Sequence, residues 1–107
     1  MKADYSDLVG ATTAFRESCE VLNGYLEAEK NAFLAFKKKE REIRLKYFVK
    51  IEEDKMSQAK FNFYLEQEYF DEKLEYHKAR TEKNMADNRK QSLHEKLLTV
   101  KKMISIQ

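Results

Sequence analysis

Stepping along this chain from Phe15 in strides of 3.6 residues reaches Phe15, Cys19, Leu22, Leu26, Glu29, Phe33, Phe36, Glu40, Ile43, Tyr47 and Ile51. Apolar side chains fill nearly all of these positions, over about ten helical turns. The pattern predicts one long amphipathic helix, at residues 12–53. Its period is 3.6 rather than 3.5, so the helix is expected to run nearly straight rather than wind into a tight left-handed supercoil. Thr12 or Thr13, just after Gly10, offers an N-cap hydroxyl. The residues before them are expected to form a short arm or a frayed turn.

The second half has a different pattern. From Met56 the same stride gives Met56, Ala59, Phe63, Gln67, Phe70, Leu74, His77, Thr81 and Met85. A second stripe, Phe61, Leu65, Tyr69 and Tyr76, lies about 160° away around the same helix. A helix in a two-helix hairpin needs only one apolar face, so a segment apolar on two faces has one to spare. We take the aromatic stripe as the spare one. Phe61, Tyr64, Leu65, Tyr69 and Tyr76 are therefore the candidate contacts for a partner or a second copy. The alternative is that they pack within the chain's own core. This helix is expected at 55–83. Asn84, Asp87 and Asn88 in the polar tract 80–91 mark a break, and Ser92 to Glu95 has the form of a capping box opening a terminal helix at 92–105.

The stripes are equally compatible with one unbroken helix through residue 54, and charge favours the fold-back. Residues 17–29 and 62–76 are mainly acidic, while 37–50 and 77–102 are mainly basic. Reversing the chain near Asp54 sets opposite signs side by side along both helices, and Asp54 offers a cap for the second. The fold expected is thus all-α: a single domain, 1–107, built as an elongated, coiled-coil-like antiparallel helical hairpin with a short C-terminal third helix. The absence of proline and the presence of only two glycines, Gly10 and Gly24, agree with nearly continuous helix.

Composition narrows the chemistry. Of the 107 residues 37% are charged, and the formal net charge is only +2. Two histidines and one cysteine supply few metal ligands, and the residues three before His77 and His94 are Leu74 and Gln91, not the glutamates of a di-iron bundle. The two glycines begin no phosphate-binding loop. No nucleophile sits in a recognisable catalytic pattern. No cofactor, metal, small-molecule substrate or catalytic residue is therefore expected. The longest apolar run, Ala32 to Phe36, is far short of the roughly 20 residues that span a bilayer. Acids at Asp4 and Asp7 stand where a signal peptide would be apolar, and a lone Cys19 suits a reducing compartment; both point to the cytoplasm.

What remains is binding. A chain of this size with two long amphipathic helices gains stability from a second copy or another protein, so the expected function is a self-associating helical interaction module: an adaptor, assembly factor, chaperone or inhibitor. Lys37, Lys38, Lys39, Arg41, Arg44, Lys46 and Lys50 form a candidate basic surface for non-specific contact with nucleic acid or an anionic membrane. Lys outnumbers Arg sixteen to five, and bidentate base reading prefers Arg, so sequence-specific recognition is not expected. Leu74-Glu75-Tyr76-His77-Lys78-Ala79 resembles a short stretch found late in some BAR domains, whose crescent-shaped dimers lie along anionic lipid. The resemblance covers six residues, implies a membrane-surface role as the alternative function, and assigns no functional residue. The lysine-rich helical hairpins of flagellar and type III export stalks are a further analogue, without a shared motif.

Overall fold

The computed structural model describes residues 3–52 and 57–106, and the side chains of all of these except 49–52. The fold is all-α. Helix α1 spans Tyr5–Glu52, α2 Gln58–Glu68 and α3 Phe70–Ser105, with no strand among the described residues.

The helix ends follow from local chemistry, and several differ from the sequence reading. Helix α1 begins at Tyr5, not near Thr12, because Asp4 and Asp7 cap each other's backbone. Asp7 N–H donates to Asp4 Oδ1 at 3.0 Å and Asp4 N–H to Asp7 Oδ2 at 2.9 Å. This is a capping box with an aspartate in each role. Ser57 caps α2: its extended backbone (φ −70°, ψ 156°) presents Oγ to the Lys60 N–H at 3.2 Å. Asp54, the expected cap, lies outside the described residues, as does the expected helix start at residue 55.

Tyr69, at φ −107° and ψ 12°, separates α2 from α3. Its N–H still donates to Leu65 O at 3.1 Å and its carbonyl accepts from Lys73 N–H at 2.9 Å, so hydrogen bonds of helical span cross the joint. Helix α3 then continues through residues 80–91, where the polar tract had suggested a break. Asp87 ties itself to the helix surface through Lys90 (3.7 Å) and Gln91 (3.4 Å), and Ala86 is buried in the middle of the tract. Tertiary packing on Ala86 outweighs the weak helix propensity of Asn84, Asp87 and Asn88. The segment 92–105 is the end of α3, and the short helix of the three is α2.

The chain divides into two compact units that share α1 and α3. In the unit Ala28–Arg80, α1 packs antiparallel against α2 and the start of α3: Phe33 meets Tyr76, Phe36 meets Tyr69, and Tyr47 meets Phe61 and Tyr64. Ile43, Tyr47, Phe61, Leu65 and Tyr69 are its buried cluster. This is the expected hairpin, with the chain reversing between α1 and α2.

In the unit Met1–Glu27 with Thr81–Gln107, α1 and α3 are again antiparallel, with the Phe15 ring 5.1 Å from that of His94. The buried residues here are mostly small: Ala3, Ala11, Ser18 and Ala86, joined by Leu22 and Leu97. Ser18 satisfies its hydroxyl on Phe15 O at 2.6 Å. Small side chains on α1 leave an open cleft of about 390 Å³ between Ala3, Gly10, Ala11 and Ala14 on one side and Leu93 and Val100 on the other.

Candidate interaction surfaces

In the unit Ala28–Arg80 the aromatic stripe proposed for docking lies inside the hairpin. Phe61 is 1% exposed, Leu65 and Tyr69 are buried, and Tyr64 and Tyr76 are half-buried. Their partners are on α1. Phe36 stacks on Tyr69 (centroids 5.0 Å, planes at 22°) and Tyr76 (6.0 Å, 24°), Tyr47 lies parallel to Tyr64 (5.9 Å, 12°), and Phe61 meets Tyr47 edge-on (6.1 Å, 70°). Offset and edge arrangements of this kind add to the area buried. The structure thus places Phe61, Leu65 and Tyr69 in the chain's own core, the second of the two roles the sequence left open for them, and leaves Tyr64 and Tyr76 half-buried at its edge.

The tyrosine hydroxyls that emerge from this core end on carboxylates. Tyr47 Oη donates to Glu68 Oε1 at 2.6 Å, and Lys46 Nζ reaches the same oxygen at 3.2 Å. The Tyr47 hydrogen bond, reinforced by Lys46, holds the Glu68 carboxyl below the usual carboxylate range. The same carboxylate pushes the Tyr47 phenol and the Lys46 ammonium up. A parallel arrangement occurs on the joint itself. Tyr69 Oη donates to Glu66 Oε1 at 2.9 Å and Lys73 Nζ to Glu66 Oε2 at 3.2 Å, which lowers Glu66, while burial and Glu66 together raise Tyr69. Both sets satisfy phenols at the edge of an aromatic core. Reversing the chain near Asp54 sets basic 37–50 beside acidic 58–71, and Lys46–Glu68 realises that expected pairing.

The other stripe is the exposed one. Phe63, Phe70 and Leu74 are 59%, 58% and 54% exposed, at spacings of seven and four residues that keep them on one outward face of α2 and α3. The two faces of this segment therefore exchange the roles expected of them. Periodicity shows that both are apolar but is silent on which one meets α1; aromatic complementarity with Phe36 and Tyr47 decides it.

The basic stretch splits in the same way. Lys46 pairs with Glu68, and half-buried Lys39 adds its charge to the same carboxylate. Lys37 and Arg44 flank Glu40 at 3.9 and 3.7 Å, and Lys37 also sits over the rings of Phe33 and Phe36 at 5.6 and 5.5 Å. Lys38 and Arg41 stand exposed, and the Lys50 side chain lies outside the described residues. Three exposed apolar residues on this helix, Leu34, Leu45 and Phe48, were not singled out from the sequence. A helical projection centred on Ile43 would have found them, because all three lie far from the core direction.

Among the described residues no group of three or more His, Cys, Asp or Glu side chains is placed to hold a metal ion, and no helix is long and apolar enough to cross a membrane. Compared with known proteins, the chain matches no family model, no curated protein and no solved structure.

Proposed function

We propose that this protein is a non-catalytic helical interaction module whose α2–α3 outer face docks a helical protein surface, in the first instance a second copy of itself. The observation that supports this is the outward stripe Phe63, Phe70 and Leu74. It repeats at same-face helical spacing on a segment whose opposite face is already filled by α1. Three large side chains more than half in water, aligned across the α2–α3 joint, form the kind of contiguous apolar patch that marks a docking surface. Two hairpins apposed along such stripes would form a four-helix arrangement with the outer faces of α1 still accessible. Phenylalanine suits the anchor role because it supplies a large contact area from a side chain with few rotamers.

Size-exclusion chromatography with in-line light scattering tests the reading. The wild-type chain is expected at twice the mass of one chain, and Phe63→Glu with Phe70→Glu at the mass of one chain, with helicity by circular dichroism unchanged. A wild-type chain that stays monomeric at the highest concentration attainable removes self-docking. A double variant that loses its helicity shows that the stripe belongs to the fold.

A further inference from the structure

We propose that the outward face of α1 between Lys30 and Phe48 is a binding surface for an anionic lipid bilayer. The direction of this face is fixed by its opposite: Phe36, Ile43 and Tyr47 point into the core of the unit Ala28–Arg80. At 100° per residue, Lys30, Lys38 and Arg41 fall on the arc facing away from them and Lys37 at its edge, while Arg44 lies toward the core side, its guanidinium 5.6 Å over the Phe61 ring. Leu34, Leu45 and Phe48 fall on that same arc, 55%, 71% and 57% exposed. One acidic residue of this stretch, the exposed Glu42, shares it. The other, Glu40, which meets Lys37 and Arg44, lies toward the core side and its side chain is only 24% exposed.

Two properties of this arc together select the partner. Lys30, Lys38 and Arg41 outnumber its single acid, Glu42, which calls for an anionic surface. Lys30, Lys38 and Arg41 enter none of the ion pairs formed among the described residues, so their charges are available. Leu34 and Leu45 sit at the centre of the arc, between Arg41 and Lys38, and Phe48 lies nearer its edge. A nucleic-acid backbone would neutralise the charges but leave Leu34 and Leu45 in water. At a bilayer interface the ammonium and guanidinium groups reach the phosphates while the leucines and Phe48 enter the acyl boundary, the geometry of a helix lying in the interface plane. The stretch from Lys30 to Phe48 is about 27 Å long at 1.5 Å per residue, enough to span several headgroups. This surface is separate from the Phe63–Phe70–Leu74 stripe, so a dimer formed through that stripe would keep it.

The experiment is co-sedimentation of the full chain with vesicles of phosphatidylcholine alone and of phosphatidylcholine with about one third phosphatidylserine. Binding is expected to the second and not the first, weakening as salt shortens the screening length. Lys38→Gln with Arg41→Gln is expected to lower vesicle affinity on the order of 30-fold, at about fivefold per cation removed. Leu45→Gln is expected to weaken it severalfold at constant charge. Phe63→Glu with Phe70→Glu serves as the control and is expected to leave vesicle binding in place, which separates this proposal from the dimer reading. Equal affinity for both vesicle types overturns the proposal. So does binding of duplex DNA that falls with Lys38→Gln and Arg41→Gln while vesicle binding ignores Leu45→Gln, since the surface would then read phosphate charge alone.

Discussion

Phe61 and Phe63 are the same residue type two positions apart on one helix, yet the structure gives them opposite environments, and this difference can be measured. Phe61 is 1% exposed, meets Tyr47 edge-on and carries the Arg44 guanidinium 5.6 Å over its ring. Truncating a fully buried phenylalanine to alanine costs about 3–5 kcal/mol, transfer and cavity terms together. Phe63 is 59% exposed, so less than half of its transfer free energy is at stake. Of the roughly 1.5–3 kcal/mol for full burial that leaves about 1 kcal/mol, partly offset by alanine's better helix propensity. For a small domain with about 5–15 kcal/mol of stability, the first change is severe and the second mild. Urea unfolding followed at 222 nm provides the assay. With a slope near 1.5 kcal/mol/M, Phe61→Ala is expected to lower the midpoint by about 2–3 M, and Phe63→Ala by well under 1 M. A dilution series separates fold from assembly, because lost self-association shifts the midpoint only at concentrations where dimer forms. Should Phe61→Leu and Phe61→Ala both leave the midpoint nearly unchanged while Phe63→Ala drops it in dilute protein, the two faces have been assigned the wrong way round.

Two further outcomes are expected. Gly10 and Gly24 lie inside α1 and a Cβ built on either meets nothing within 4 Å, so Gly10→Ala and Gly24→Ala should each stabilise by about 0.5–1 kcal/mol, raising the melting temperature by several degrees. A fall in melting temperature for either would show that another chain comes close to that backbone. Because Tyr47 and Lys46 hold Glu68 below the usual carboxylate range, its contribution to stability is full above the unfolded carboxylate pKa, near 4.3, and is lost as pH falls through the lower folded value. Glu68→Gln should therefore cost stability at pH 7 and converge with wild type in acid; parallel stability curves for the two proteins down to pH 2 would count against the hydrogen bond.

The features legible in the sequence were those set by periodicity and charge. The α1 stripe gave Leu22, Phe36, Ile43 and Tyr47 their inward direction, and all four are buried or half-buried. The match of 37–50 with 58–71 located the antiparallel register that Lys46–Glu68 now displays. Helix ends were less legible, for different reasons. Asp4 and Asp7 form a capping box with aspartate in both positions, a pattern the Ser/Thr-to-Glu form does not flag. The continuity of α3 through Asn84 to Asn88 depends on the burial of Ala86, a tertiary effect that local propensity does not contain. The choice between the two stripes of α2 turned on which aromatics find stacking partners in Phe36 and Tyr47, and that needs the opposing helix at its actual register. The outward surfaces were half legible: cations stand out in a sequence, but Leu34, Leu45 and Phe48 acquire meaning only once the core direction of α1 is known.

The two units also differ in how much chain each must order before its contacts form. Tyr47 and Glu68 are 21 residues apart, whereas Phe15 and His94 are separated by about 80. Loop-closure entropy rises by about 0.6 kcal/mol for each doubling of length, so the distant pair begins about 1.2 kcal/mol behind. It also returns less on closing, since the buried residues of its unit are mostly alanines and a serine, joined by Leu22 and Leu97, rather than stacked rings. Folding should therefore start at the aromatic end and zip toward the termini, which brings the separation of the last pairs down to a few residues per step. Opening should run the other way, so amide exchange is expected to be fastest where Asp4 and Ile106 lie and slowest around Ile43 and Leu65.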